Sequence, residues 1–112
     1  TGSALTAVGQ GALEDNTVGD QNTSVGGTAL GDNTEGEYNA AFGYNALRKN
    51  TTADNNAAFG YYALACNTTG CENVAVGTEA MNTGTTACRS VAVGYRALKS
   101  VQAGTNNVGV LY

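Results

Sequence analysis

The stretch Asn73-Val74-Ala75-Val76-Gly77-Thr78-Glu79-Ala80-Met81 recurs in recognisable form along the whole of a 112-residue chain. Its glycine falls at Gly9, Gly26, Gly43, Gly60, Gly77 and Gly94, each 17 residues after the one before. A period that never slips gives every copy the same path length. That is the signature of a solenoid in which each repeat stacks on its neighbour.

Working outward from the glycine, the preceding residue is Val8, Val25, Phe42, Phe59, Val76 or Val93. Two positions earlier stand Thr6, Thr23, Ala40, Ala57, Val74 and Val91, and between the two columns lies a residue that is always small: Ala7, Ser24, Ala41, Ala58, Ala75, Ala92. Side chains alternate across an extended strand, so the larger residues share one face and the Ala–Gly pair the other. The larger face is expected to fill the core, leaving the small face free for close approach of a second backbone. Beyond the glycine, Leu13, Leu30, Leu47, Leu64, Met81 and Leu98 supply a second core column. The segment around Tyr44-Asn45-Ala46-Leu47-Arg48-Lys49 contains good helix formers, but only five or six residues separate its punctuation, too few for a stable helix.

The polar half of each copy reads as corners. Asn16, Asn33, Asn50 and Asn67 form one column, and Asn22, Asn39, Asn56, Asn73 and Asn107 form another, with Ser90 in the sixth copy. Asn and Gly tolerate left-handed backbone, and amides stacked about 4.8 Å apart can hydrogen-bond along the stack. At about 3.3 Å per residue, a 17-residue coil accommodates two short strands and two turns, and the chain as a whole spans about 31 Å of rod. The expected fold class is therefore all-β, a parallel β-solenoid or β-roll of six to seven coils forming a single repeat domain over 1–112. Gly2 is already in phase with Gly19 and Gly36 and Tyr112 falls part-way through a repeat, so a segment of a longer array is expected. The irregular terminal copies, with Leu5 in an Asn column and Leu111 where the glycine belongs, point to capping or a transition to another module.

Composition narrows the function classes. Only 20 of 112 residues are Val, Leu, Phe, Met or Ile, a level that points toward disorder until the strict periodicity is considered. Sixteen glycines and no proline suit tight turns that keep their ladder donors. The net charge is −4, with six acids and no base in 1–47 and three acids with five bases in 48–112. Arg48, Lys49, Arg89, Arg96 and Lys99 are scattered, so no nucleic-acid patch is expected. No apolar run is long enough for a membrane-spanning helix.

The chain contains no histidine, the commonest general base, and an enzyme with catalytic residues, cofactor or metal is not expected. Asp20, Glu37 and Asp54 share a column, which either sets carboxylates near one another for a hard cation or forms a solvated corner. Cys71 and Cys88 stand one repeat apart, within disulfide reach on adjacent strands. A Cys66–Cys71 pair and free thiols are the alternatives, whereas a disulfide would fit an oxidising, extracellular setting. Tyr44, Tyr61, Tyr95 and Tyr112 follow the glycine column, able to contact sugar rings or a partner surface, or to pack on the coil above. Thr17, Thr34, Thr51, Thr68 and Thr85 form a ladder of the kind that could order water, with only three coils carrying a second adjacent threonine.

Repeats of the form Asn-x-Ala-[Val/Phe]-Gly-Tyr-x-Ala-Leu-x-x-Asn-Thr-Thr, as at 39–52 and 56–69, resemble those of phage tail-fibre and other virion fibre proteins. The Val-Ala-Val-Gly cores at 74–77 and 91–94 resemble head repeats of trimeric autotransporter adhesins. This resemblance implies a homotrimeric parallel β-roll in an attachment fibre, at the virion surface or outside the cell, with a cell-surface glycan or protein as receptor. A self-assembling extracellular filament and an ice-binding solenoid are the alternatives. Seamless end-to-end stacking would leave seven positions missing at each junction, counting Thr1 and Tyr112 against the repeat.

Overall fold

A computed structural model describes residues 2–110. Seven three-residue strands form one sheet: β1 (Thr6–Val8), β2 (Thr23–Val25), β3 (Ala40–Phe42), β4 (Ala57–Phe59), β5 (Val74–Val76), β6 (Val91–Val93) and β7 (Val108–Val110). Each pairs in parallel with the next, and every partner lies 17 residues away, as in Ala41↔Ala58 and Ala75↔Ala92. The chain is thus a parallel β-solenoid whose longest dimension is 36 Å. The irregular Leu111 and the aromatic Tyr112 lie outside the described residues.

Each coil makes one strand where two are expected from its length. The wall opposite the sheet is a run of turns, closed within the coil by bonds such as Ala46 N–H to Gly43 C=O (3.1 Å) and Asn50 N–H to Leu47 C=O (3.1 Å). Two left-handed residues per coil bend this wall, for instance Asn45 (φ 59°) with Leu47 (φ 51°), and a third, such as Asn55 (φ 60°), turns the next corner. Most of these residues are neither Gly nor Asn, so the bend has no signature in residue type. The backbone compensates by laddering here as well: Leu47 N–H reaches Ala63 C=O at 3.0 Å in the next coil. A strained corner persists when the coils above and below hold it in this way.

The core corrects the expected direction of the strand faces. Ala41, Ala58, Ala75 and Ala92 are fully buried, with Ser24 in the same column, and they pack against Leu30, Leu47, Leu64 and Met81 from the turn wall. The Leu column therefore lies in the core as expected, buried from Leu13 to Met81 and only half-buried at Leu98. The other expected core column does not: Val8, Phe42, Phe59, Val76 and Val93 point outward and are exposed, with Val25 half-buried. The reason is the width of the coil. With a leucine reaching across from the turn wall, only a side chain as small as Ala or Ser fits opposite, and dense packing leaves the branched and aromatic side chains no room. At β7 the inward position is Gly109, and an added Cβ there would lie 2.5 Å from Leu98 Cγ.

The glycine ladder serves stacking within the chain. Gly60 has φ +142°, and a Cβ on it would sit 2.6 Å from the carbonyl oxygen of Gly77 one coil on. The second backbone that approaches it is the chain's own next coil, so the small face is not a free surface for another chain.

Two amide ladders hold the corners. In the first, Asn33, Asn50 and Asn67 each donate Nδ2–H to the Oδ1 of the preceding coil's Asn, at 2.8, 2.9 and 2.9 Å. In the second, the Oδ1 atoms of Asn22, Asn39 and Asn56 accept the backbone N–H of Asn39, Asn56 and Asn73 at 2.9–3.0 Å. The ladders share acceptors: Ala53 C=O takes Nδ2–H from both Asn39 (2.8 Å) and Asn50 (2.9 Å). Burying an amide is costly unless its donors and acceptor are satisfied, and from Asn22 to Asn73 and from Asn33 to Asn50 the neighbouring coils satisfy them. In the seventh coil Asn107 is half-buried and donates to Ser90 Oγ at 3.3 Å.

Candidate functional site

Among the described residues no cleft or cavity opens, and no group of three or more His, Cys, Asp or Glu gathers in a form that could hold a metal ion. The most distinctive feature is the outward face of the sheet. Its two columns are Thr6, Thr23, Ala40, Ala57, Val74, Val91, Val108 and Val8, Val25, Phe42, Phe59, Val76, Val93, Val110, without one charged residue. Phe42 and Phe59 stack with ring centroids 4.8 Å apart and planes within 5°. Six strand spacings of about 4.8 Å and a width of three residues give this face about 290 Å² in projection. A patch of this area is ordinary in size for a single chain, where the largest apolar patch is often functional.

The tyrosines extend the face. Tyr44 and Tyr61, about half exposed, stack at 5.8 Å and 17°, and Tyr62 leans edge-on against both. Gly27 leaves room for the Tyr44 ring, since a Cβ there would meet it at 3.1 Å. Loss of solvent around Tyr61, followed by the neighbouring phenols, pushes its pKa above the ordinary value. Stacking along the solenoid axis turns one face of each of the Tyr44 and Tyr61 rings toward the other. A sugar that binds by lying flat needs an open face, and the space between these two rings offers none. Tyr95 has the Arg96 guanidinium 5.0 Å from its centroid. Tyr38, also half exposed, gives no signal in the sequence because it has no aromatic neighbours in its column.

The polar columns serve the solenoid itself. The hydroxyls of Thr17, Thr34, Thr51, Thr68 and Thr85 each donate to the backbone carbonyl one coil on, at 2.8–3.3 Å. Their protons are therefore committed along the axis. The carboxylate column caps backbone: Asp20 accepts from Ser3 N–H and Oγ–H, which holds its pKa below the usual value, and Asp54 accepts from Glu37 N–H at 2.8 Å. Glu79 receives Lys99 Nζ (2.8 Å) and Arg96 Nε (2.6 Å), two contacts that lower its pKa. These partners stand 17 and 20 residues away, a spacing that acquires meaning only from the geometry of the coil.

Cys71 Sγ and Cys88 Sγ lie 3.1 Å apart, and both residues are half-buried. The hydrogen bond with Cys88, then burial, pushes the Cys71 thiol up to about 11. Cys66 occupies another column, between Lys49 and Thr83.

No helix among the described residues is long and apolar enough to cross a membrane. No family model, curated protein or solved structure matches the chain.

Proposed function

We propose that this chain is a structural segment of an attachment fibre, extracellular or on a virion, in which three copies associate through the outward face of the sheet. The observation that carries the reading is that uncharged face, continuous over seven strands, with Phe42, Phe59, Val76 and Val93 exposed in one column. The exposed Val and Phe of this face gain free energy when covered, at about 25 cal/mol per Å². One face of about 290 Å² is below the roughly 800 Å² per partner of a stable interface. The Tyr44–Tyr61 flank adds to it, and contact grows linearly with the number of coils, which suits a fibre better than a compact globular complex. The threefold count comes from the resemblance of the repeats to those of fibre proteins. The shaft spaces binding elements apart, and repeated corner side chains offer weak, multiplied contacts to a surface glycan or protein.

The test is analytical ultracentrifugation of the wild-type chain and of Phe59→Glu, with circular dichroism alongside. A wild-type trimer and a Phe59→Glu monomer of unchanged β content are expected. A wild-type chain that is monomeric at high concentration would refute the self-association reading.

A further inference from the structure

The first amide ladder ends inside the solenoid, and the cysteine pair sits at that junction. In the first amide ladder the residue one coil after Asn67 is Gly84, so Asn67 Oδ1 is left buried without a partner. The second such atom among the described residues, Asn82 Oδ1, is two positions before Gly84. The methyl group of Met81, which replaces leucine here, lies 3.6 Å from where a Gly84 Cβ would be and so approaches the space of the missing asparagine. The second ladder still spans this junction, Asn73 Oδ1 accepting Ser90 N–H at 3.0 Å, and one coil further on it passes to the Ser90 hydroxyl, which accepts from Asn107 at 3.3 Å. Beyond this point the first ladder has no buried amide in register, and the coils are held by backbone ladders, threonines and the half-buried Asn107 on Ser90 Oγ.

Cys71 and Cys88 follow Asn67 and Gly84 by four residues each, and so join the same two coils at the same corner. In their column the side chain of one coil caps the backbone N–H of the previous one: Asp20 takes Ser3 N–H at 2.6 Å and Asp54 takes Glu37 N–H at 2.8 Å. Cys88 Sγ occupies that position toward Cys71 N–H at 3.1 Å. Sulfur is a weak acceptor, a poor replacement for a carboxylate if capping were the role. Two sulfurs at 3.1 Å, on adjacent in-register coils, need only a small approach to bond.

We infer that Cys71 and Cys88 form a disulfide that staples the two coils where the first amide ladder lapses, and that the C-terminal coils depend on it. The bond forms between the two Sγ atoms as both thiols lose a proton and an electron to a disulfide oxidant such as oxidised glutathione, which leaves as two thiols. Cys66, in its separate column, stays free.

The experiment combines thiol counting with hydrogen exchange. After incubation with oxidised glutathione, alkylation followed by peptide mass mapping should find one modified cysteine, Cys66, and a linked Cys71–Cys88 peptide; reduction should expose all three. Amide exchange across residues 84–110 should rise at least tenfold on reduction, while 22–70 changes less than twofold. A Cys88→Ser variant should exchange like the reduced protein and ignore the reductant. Three alkylated cysteines after oxidation, or a Cys66–Cys71 linkage, would overturn the assignment. Exchange that is unchanged on reduction would overturn the dependence of the C-terminal coils.

Discussion

Truncating Asn50 to alanine should destabilise the chain far more than the same change at Asn16, although the two residues occupy the same column. Asn50 Nδ2 donates to Asn33 Oδ1 and Ala53 C=O, both at 2.9 Å, and its Oδ1 accepts from Asn67 Nδ2 at 2.9 Å. Removing it leaves Asn33 Oδ1 buried and unpaired, at about 1–3 kcal/mol, and loses two further bonds worth about 1 kcal/mol each. Ala53 C=O keeps Asn39 and Asn67 keeps Gly70 C=O at 2.8 Å, so neither becomes a second orphan. The total is about 3–5 kcal/mol. Asn16 is only half-buried: it donates to Gly19 C=O at 3.0 Å and accepts from Asn33, whose amide retains Gly36 C=O. Water replaces much of what is lost there, and the expected cost is about 1 kcal/mol. Urea unfolding at fixed protein concentration measures both, as a shift in midpoint at constant slope. Equal costs at the two positions, or less than about 1 kcal/mol at Asn50, would refute the view that a buried, fully bonded amide ladder holds the corners.

Two further substitutions probe the backbone. Gly60→Ala combines a disallowed φ of +142° with a Cβ 2.6 Å from Gly77 C=O, and should abolish cooperative folding, read as loss of the β signal in circular dichroism and not as a loss of assembly alone. Gln21→Gly relieves an exposed left-handed residue at φ 55° and should raise the urea midpoint by the equivalent of about 0.5–1 kcal/mol. A fall in the midpoint would show that the Gln21 side chain makes a stabilising contact.

Path length is legible in the residues alone. Six glycines at one spacing determine the period, the parallel in-register pairing and the stacking of like residues, because a solenoid with equal coils can pair in no other way. The Leu column, the Asn columns and the alignment of Cys71 with Cys88 follow from the same count. Alternation within Val74-Ala75-Val76 shows that the valines oppose the alanine, but alternation has no sign. Hydrophobicity favours the valines as core, and it is the tertiary structure, through the narrow gap between the sheet and the leucines of the turn wall, that puts Ala75 inside and the valines out. The constant smallness of the middle position is the signal in the sequence that bears on this. It suggests a surface for another chain, whereas it records a core without room. The second expected strand is absent for a related reason, since left-handed Leu47 or Tyr62 is imposed by the coils above and below and carries no local signature. What the sequence determined by itself was everything that depends on counting along the backbone; what only the tertiary structure decided was direction across it, because which way a side chain points depends on the space the opposite wall leaves.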